Sequence, residues 1–311
     1  MKQKKIIDPV GKEQLLHELL SARFIKQANR GNNLNIYTFD AKESPNLMRE
    51  VARLREESFR LVGGGTGKSF DMDYFDTHFD QLIVWDSANN KIVGGYRIQL
   101  LSTLMDQYNI HKQKRSDISP LATYFSFSKK FVDKYLNYSA ELGRSFVSVS
   151  YQKSPFALEA LFDGLGAWIQ QKNASASFLK KINRWRLPVT YLIGKITLYP
   201  NFGDLDPIYH FMDRYFESRN IIKPKGPYGV IRPYKELTDD IVFTGNFKAD
   251  FTMIVKRFNA PVLVGQYGKL SPKMLCLGTI LNKDFGATEE TAILIKVPRI
   301  YPEYLKRYNI L

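Results

Sequence analysis

The chain has little that would mark a secreted or membrane-spanning protein. It contains one cysteine, Cys276, which excludes an intrachain disulfide and indicates a reducing compartment. It has no run of about 18 apolar residues, so we expect no membrane-spanning helix. The N-terminal lysines are not followed by an apolar run, which argues against a signal peptide. We therefore expect a soluble cytoplasmic chain, and peripheral contact with the inner membrane stays open as an addition.

Acidic residues are scarce relative to basic ones. The 311 residues include 45 Lys and Arg against 31 Asp and Glu, a net charge of +14. Such an excess favours a polyanionic partner, which is nucleic acid, an anionic membrane surface or an acidic protein. A basic enzyme without such a partner is the plainer alternative. The hydrophobic content of 44% indicates a folded chain with a sizeable core.

Residues 62–69, VGGGTGKS, have the look of a nucleotide-binding P-loop. The P-loop pattern G-x-x-x-x-G-K-[ST] requires a glycine where this chain has Val62. A P-loop also follows a buried strand, whereas residues 44–61 have the apolar spacing of a helix. Ser44 is placed to cap this helix and Pro45 suits its first turn. We therefore predict a mobile glycine loop with no nucleotide beneath it.

Strands and helices alternate along the chain. Helices are predicted within residues 13–24, 44–61, 154–172 and 199–219, and strands within 34–40, 80–86, 91–101, 140–150, 189–198, 273–281 and 291–297. Residues 102–138 have aromatic residues but no clear period, which predicts a long polar connection. The alternation indicates an α/β or α+β fold around a mixed sheet.

Four segments between Leu54 and Ala157 carry a family resemblance: LREESF, DMDYFDTHFDQLIVWD, KIVGGYRI and AELGRSFVSVSYQKSPFA. Their order resembles the Gcn5-related N-acyltransferase (GNAT) superfamily. More narrowly, it resembles bacterial acyl-carrier-protein-dependent amino-acid N-acyltransferases, which make the lyso forms of ornithine or glycine lipids and are often labelled hemolysin. Acyl-homoserine-lactone synthases share the order of elements. Near the C-terminus, APVLVGQYGKL and LNKDFGATEETAILIKV resemble a stretch of the amino-acid N-acyltransferases. The lactone synthases lack this stretch.

The resemblance implies a GNAT-like fold with a mixed central sheet flanked by helices. It implies an N-terminal helical segment (1–32), an acyltransferase core (33–200) and a C-terminal extension (201–311) that covers the acyl pocket. The implied reaction moves a long or 3-hydroxylated acyl chain from acyl carrier protein directly to the amine of glycine or ornithine. No tightly bound cofactor is expected, and acyl-ACP or acyl-CoA is the co-substrate. A homoserine-lactone synthase and a nucleic-acid-binding protein are the alternatives.

The run ELGRS supplies the predicted catalytic residues. Glu141 is the candidate general base that takes a proton from the acceptor ammonium, with a structural ion pair as the alternative. Arg144 has the fork geometry to hold a carboxylate or to order Glu141. Ser145 is placed to donate to the departing thiol or to satisfy the backbone. Strand alternation puts Arg144 on the face opposite Glu141 and Ser145 unless a bulge intervenes.

An acidic cluster follows the glycine loop at Asp71, Asp73, Asp76 and His78. The spacing does not fit the calcium loop of an EF-hand, and we expect no metal here. In line with the resemblance, these residues are predicted to bind the acceptor ammonium group, with helix capping by Asp71 as the alternative. Arg97 matches the G-x-x-R motif of the family and is assigned to the same acceptor site.

The resemblance also locates an acyl-pantetheine site. The superfamily loop Q/R-x-x-G-x-G/A here reads QKSPFA over residues 152–157, with proline in place of the central glycine. Because Pro155 removes a backbone donor and stiffens the turn, free coenzyme A is disfavoured and acyl carrier protein is favoured. The residues predicted to bind the acyl-pantetheine are Phe146, Val147, Ser148, Gln152 and Ala157.

A basic segment at residues 180–188, KKINRWRLP, could bind nucleic acid, because its cations surround Trp185. No nucleic-acid-binding module is otherwise present, so we predict a docking patch for the acidic carrier or for anionic lipid. The docking residues are Lys180, Lys181, Arg184 and Arg186. Nucleophilic catalysis is not expected, because Cys276 lies in an apolar run and none of the four histidines belongs to a metal or triad motif.

Overall fold

A large mixed β-sheet forms the centre of the computed structural model, which describes residues 3–111, 119–181, 188–258, 260, 262–271, 273–308 and 310. The strands are β1 (Arg23–Gln27), β2 (Leu34–Phe39), β3 (Asp80–Asp86), β4 (Lys91–Leu100), β5 (Phe125–Phe127), β6 (Ser139–Val147), β7 (Tyr191–Leu198), β8 (Glu217–Ser218), β9 (Ile222–Pro224), β10 (Gly229–Val230), β11 (Leu275–Asn282) and β12 (Thr288–Lys296). The order across the sheet is β1-β2-β3-β4-β6-β7-β12-β11-β10, with β8 beside β11. The pairs β6–β7 and β8–β11 are parallel and the others are antiparallel, while β5 and β9 form a separate ribbon.

Helices cover both faces of this sheet. They are α1 (Lys12–Leu19), α2 (Pro45–Leu61), α3 (Leu101–His111), α4 (Pro120–Tyr124), α5 (Lys129–Lys134), α6 (Ala157–Lys181), α7 (Asp206–Tyr215), α8 (Phe247–Phe258), α9 (Val262–Leu270) and α10 (Pro302–Arg307). The core under α6 to α10 lies on one face, and two further cores under α1 to α5 lie on the other. The mixed α/β fold class predicted from the sequence is confirmed.

Helix α2 matches the prediction closely, but its cap does not. Leu47, Val51 and Leu54 recur at helical spacing and are buried. Ser44 makes no side-chain capping hydrogen bond. The carboxylate of Glu18 instead accepts hydrogen bonds from the backbone N–H groups of Asn46 (3.0 Å) and Leu47 (2.7 Å). A distant acidic residue therefore replaces the local cap and complements the helix dipole.

The predicted polar connection over residues 102–138 is wrong. Where this segment is described, it contains α3, α4, β5 and α5, and its side chains Leu104, Leu121 and Phe131 are buried in one core with Ile193. The helices α4 and α5 have only five and six residues, too few for an apolar period to emerge from the sequence. The predicted helices at 13–24 and 199–219 are likewise shorter, since β1 begins at Arg23 and α7 spans ten residues.

The sheet runs across both predicted segment boundaries. Strand β1 pairs with β2 across position 32, and β12 pairs with β7 across position 200. The division into residues 1–32, 33–200 and 201–311 stays a prediction. In the portion of the chain that is described, no helix combines the length and the apolar character needed to cross a bilayer.

Candidate active site

Strands β6 and β7 separate in the middle of the sheet. Their parallel pairing covers Ser139–Glu141 against Tyr191–Ile193 and ends there. Beyond this point β6 stays with β4 and β7 stays with β12. An opening between neighbouring strands of a sheet leaves room for a ligand to contact backbone on both sides.

The expected bulge lies on β6 beside this opening. Gly95 of β4 pairs with Phe146 and Arg97 pairs with Gly143, so that Arg144 and Ser145 together oppose the single residue Tyr96. Arg144 has a positive φ of 52°, which is uncommon for a residue with a side chain. The extra residue cancels the simple alternation. Glu141, Arg144 and Ser145 consequently all line the same cavity.

This cavity of about 250 Å³ lies where β6 and β7 diverge, and residues from the cores on both faces of the sheet line it. One end is polar, and its lining residues are Asp73, Arg97, Tyr124, Glu141, Arg144, Ser145, Lys195, Thr197, Tyr199, Asn282 and Glu290. The other end is apolar, and its lining residues are Leu165, Leu192, Ile196, Tyr267, Leu270, Ile293, Ile295 and Ile300. The shape suits a molecule with a polar head and a long apolar tail.

Glu141 is buried at the polar end, with only 3% of its surface exposed. Its Oε1 accepts a hydrogen bond from the backbone N–H of Leu121 at 2.9 Å. Its Oε2 has no hydrogen-bond partner among the described residues. Burial raises the pKa of this carboxyl above its ordinary value, against the opposing effects of Ser119 and Leu121. A buried carboxylate with one unused oxygen is a competent proton acceptor for a bound ligand.

The guanidinium groups of Arg55, Arg97 and Arg144 neutralise the acidic cluster, with Arg144 paired to Asp71. Arg55 Nη1 lies 2.7 Å from Asp76 Oδ1, and Arg97 Nη1 lies 2.6 Å from Asp73 Oδ1 and 3.3 Å from Asp76 Oδ1. Burial favours the neutral form of Asp76, but Arg55 and Arg97 outweigh it and hold the pKa of this carboxyl well below its usual range. The cluster is thus a structural charge network in which each carboxylate already has a cationic partner.

The structure separates the five predicted acceptor residues. Asp73 and Arg97 line the cavity. Asp71 and Asp76 are buried below them on arginine partners, and His78 faces the backbone oxygen of Tyr74 at 3.1 Å and does not line the cavity. No cluster of metal-ligating side chains occurs in residues 3–111 or in the later described ranges.

A second charged pair, which was not predicted from the sequence, lies on the opposite wall of the cavity. Lys195 Nζ is ion-paired with Glu290 Oε2. Asn282 Nδ2 donates to Glu290 Oε1 at 3.2 Å, and the Tyr124 hydroxyl donates to Asn282 Oδ1 at 3.2 Å. A lysine within the apolar strand YLIGKITL was the available signal. Its partner could not be found, because it lies 95 positions away.

The predicted pantetheine residues lie beside the cavity and not in its lining. The Ser148 hydroxyl donates to the Ile92 oxygen at 2.7 Å, and Gln152 Nε2 lies 3.4 Å from the Val147 oxygen. Phe146 belongs to the core under α2, and Ala157 is buried at the first position of α6. These residues lie between the C-terminal end of β6 and the start of α6. That they contact pantetheine stays a prediction.

The glycine loop is anchored, which corrects the prediction that it is mobile. The buried carboxylate of Glu56 accepts hydrogen bonds from the N–H groups of Thr66 (3.0 Å) and Gly67 (2.8 Å), from the Thr66 hydroxyl (2.8 Å) and from Arg60 Nε (2.7 Å). Gly64 packs against Tyr199 and Phe285, which line the cavity. Two of the loop amides, those of Thr66 and Gly67, are therefore occupied by an internal carboxylate and not offered to a phosphate.

Two further predictions have different outcomes. Cys276 is buried in the core, which confirms its prediction as a small core side chain, and burial raises the pKa of its thiol to about 12. Arg184 and Arg186 lie outside the described residues, as do the side chains of Lys180 and Lys181, which end helix α6.

Sequence comparisons agree with the geometry. The family model described as an acetyltransferase (GNAT) domain matches residues 54–161. A glycine N(alpha)-acyltransferase of Phocaeicola vulgatus is 36% identical over 98% of this chain and 92% of its own length. A glycine N(alpha)-acyltransferase of Bacteroides thetaiotaomicron is 36% identical over 95% of this chain and 87% of its own length.

The solved structures that match this chain are much less similar to it in sequence. FeeM, an N-acyl amino acid synthase from uncultured soil microbes, has a TM-score of 0.36 and 12% identity over 88% of this chain and 94% of its own. The acyl-homoserine-lactone synthase LasI has a TM-score of 0.34 and 11% identity over 85% of this chain and 89% of its own.

Proposed function

Because the chain belongs to the family of these glycine Nα-acyltransferases and is an acyltransferase of the GNAT superfamily, we propose that it transfers a long acyl chain from acyl carrier protein to the amine of glycine. One observation carries the proposal. A buried carboxylate with an unused oxygen, Glu141 Oε2, lines a cavity that is polar at one end and apolar at the other. The product would be an N-acylglycine, which is a lyso-aminolipid.

Glu141 acts as the general base in this proposal. Glycine binds as the ammonium form, and its nitrogen must lose a proton before it can attack a carbonyl carbon. Oε2 of Glu141 accepts this proton, while the Leu121 N–H and the Ser119 side chain hold the carboxylate in place. A base whose pKa is raised toward the working pH transfers protons more effectively.

The amine then attacks the thioester directly. The C–N bond forms, the negative charge develops on the carbonyl oxygen, and the C–S bond breaks as the tetrahedral intermediate collapses. Backbone N–H groups of β6 beyond Glu141, where β7 has moved away, stabilise the developing oxyanion. The departing thiolate takes the second proton of the amine. Ser145 lines the cavity and donates a hydrogen bond to the departing sulfur.

The apolar end of the cavity receives the acyl chain. Leu192 and Ile196 of β7 and Ile293 and Ile295 of β12 line it, and α9 closes it with Tyr267 and Leu270. Each methylene buried there contributes about 0.8 kcal/mol of transfer free energy, which favours long chains. The C-terminal elements thus cover the acyl pocket.

Acyl carrier protein is the proposed donor. Pro155 lies where a coenzyme-A-binding loop has glycine, and the chain carries a charge of +14 that suits an acidic protein. Reversing the charges of Lys180 and Lys181 should raise the KM for acyl-ACP, and the deficit should shrink at high salt. An unchanged KM would remove this segment from the docking surface.

The function is tested by product analysis of the purified chain. Acyl-ACP and acyl-CoA are each offered with glycine, ornithine and S-adenosylmethionine, and the products are identified by mass spectrometry. We expect N-acylglycine to form, and to form faster from acyl-ACP than from acyl-CoA. Formation of N-acylornithine alone would show that the acceptor is ornithine and not glycine. Formation of a lactone would show that the chain is a homoserine-lactone synthase.

A further inference from the structure

Lys195 is an unusual residue for its position. It lies in the middle of the apolar strand β7, on the same sheet face as Ile193, and 18% of its side chain is exposed. Burying a lysine costs free energy unless its ammonium group is paired. Its partner Glu290 is 4% exposed, so the chain retains a nearly buried ion pair in the wall of the cavity.

The ammonium group is held in a fixed place. Hydrogen bonds run from the Tyr124 hydroxyl to Asn282 and from Asn282 to Glu290, and Glu290 in turn pairs with Lys195. Lys195 Nζ also lies 4.7 Å from the centre of the Tyr124 ring. All four side chains line the cavity. The pair with Glu290 leaves further N–H donors of this ammonium group for a ligand in the cavity.

The charge balance of the polar end indicates which charged groups of a ligand it would accept. Three arginines match three aspartates, and Lys195 matches Glu290. Arg97 and Lys195 act on Glu141 only at longer range, and among the described residues Glu141 forms no direct ion pair, which suits the ammonium group of an amino acid. The carboxylate of the same amino acid then needs a hydrogen-bond donor that is not already engaged.

Lys195 is the best placed of the cations for this task. Arg97 is 3% exposed and lies against the rings of Phe75 and Phe79 at 5.7 and 5.6 Å, and its Nη1 already contacts two carboxylates. Arg144 is divided between two aspartates. An ammonium group has three donors, and the pair with Glu290 uses one.

The spacing from Glu141 fits a small amino acid. Glu141 pairs in register with Ile193, and Lys195 follows two residues along the same strand face. Neighbouring strands lie about 4.8 Å apart and two residues of a strand advance about 6.6 Å, so the backbone positions of Glu141 and Lys195 are at least about 8 Å apart. A hydrogen bond of about 2.9 Å at each end of a ligand spans part of this distance. A glycine zwitterion can therefore reach Glu141 with its nitrogen and Lys195 with its carboxylate.

We propose that Lys195 binds the α-carboxylate of the amino-acid acceptor, and that Glu290 is the residue that positions it. This inference rests on the proposed function and names the part of the site that selects an amino acid over a simple amine. Carboxylate binding, one of the two roles predicted for Arg144, then belongs to the opposite wall of the cavity.

The test compares glycine with glycinamide, which keeps the amine but lacks the charged carboxylate. In the wild-type chain, kcat/KM should favour glycine. In Lys195→Met the KM for glycine should rise about 10- to 100-fold, as expected for loss of a charge-assisted hydrogen bond, while glycinamide should change little. The preference for glycine should therefore collapse.

Lys172→Met is the matched control. Lys172 pairs with Asp80 at 3.0 Å and lies 4.9 Å from the Trp168 ring, but it does not line the cavity. It should keep the preference for glycine. If Lys195→Met does not fold, Lys195→Gln gives the same readout with a polar side chain.

The two failures are distinguishable. A Lys195 variant that retains the wild-type preference for glycine would overturn this inference and leave the function intact. A wild-type chain that acylates neither glycine nor glycinamide would instead contradict the proposed function.

Discussion

Arg144 Nε lies 2.9 Å from Asp71 Oδ2, and this ion pair holds the bulge of β6 at the cavity. Asp71 is 1% exposed, and Arg144 reaches Asp73 at 3.5 Å with Nη2. The same guanidinium lies 4.5 Å from the centre of the Phe285 ring. Three contacts thus fix a residue that has a positive φ, and they keep the backbone beside Glu141 in one conformation.

The first prediction concerns this pair. Arg144→Lys keeps the charge but loses the planar fork that reaches two carboxylates. We expect kcat/KM for glycine to fall about tenfold or more and the melting temperature to drop, since a buried carboxylate loses its partner. Arg53→Lys is the control, because Arg53 also contacts two carboxylates, Glu50 and Glu57, but lies outside the cavity lining. Equal loss of activity in both variants would contradict a local role for Arg144.

The second prediction concerns Asp76. Asp76→Asn leaves Arg55 and Arg97 with less compensation, so the free energy of unfolding at pH 7 should fall by about 3–5 kcal/mol. The folded-state pKa of Asp76 is depressed, so its stabilisation is present above the ordinary value of 3.8 and is lost as pH falls below it. Urea unfolding at pH 7 and near pH 3 should therefore show a smaller difference between variant and wild type at acid pH. A difference independent of pH would be the contrary result.

The third prediction concerns the glycine loop. Glu56→Gln cannot satisfy all the donors that surround the buried carboxylate, and stability should fall by about 1–3 kcal/mol. Hydrogen exchange at the amides of Thr66 and Gly67 should accelerate. The neighbouring Glu57→Gln, on a side chain that is 42% exposed, should change neither quantity much. Unaltered exchange in the Glu56 variant would show that the loop is held by other contacts.

The fourth prediction concerns the acyl chain. Leu165 on α6 lines the apolar end, and Leu165→Phe should fill part of it. The kcat/KM for long acyl donors should then fall more than that for short ones, as measured across a series of chain lengths. Leu158→Phe on the same helix, outside the lining, should leave the chain-length profile unchanged. A uniform loss for all chain lengths would indicate general overpacking.

Local patterns predicted much of this molecule. The apolar spacing of α2, the strands β2 to β4 and the family motifs on β6 all appear where the sequence places them. The sequence left open whether a bulge interrupts the alternation of β6, and the structure has one, so that Arg144 lines the cavity together with Glu141. These features depend on residues within one or two elements.

The features that local patterns did not predict depend on contacts between side chains of different elements. The loop at 63–68 has the composition of a mobile segment, but a carboxylate from the preceding helix fixes it. Asp71 and Asp76 have the look of ligand-binding residues, but arginines from other elements neutralise them. Lys195 and Glu290 meet only because β7 pairs with β12. Such partnerships do not follow from spacing along the chain.

Glu141 takes the acceptor proton in the proposed reaction, and its burial also affects the stability of the fold. Burial raises the folded-state pKa of Glu141 above its ordinary 4.5, so ionisation of this group lowers stability as pH rises through that pKa. Glu141→Gln removes the ionised form. We therefore expect it to melt no earlier than the wild type at neutral pH, whereas loss of a structural ion pair would lower the melting temperature.

The most direct measurement is the pH–rate profile of Glu141→Gln with acyl-ACP and glycine, beside its melting temperature. We expect kcat to fall about 10²–10⁴-fold and the deficit to narrow as pH rises, because more glycine is then already neutral. Glu50→Gln, a buried carboxylate outside the cavity lining, should retain near-wild-type turnover once folded. A Glu141→Gln enzyme that melts early but turns over at the wild-type rate when folded would contradict the assignment of Glu141 as the base.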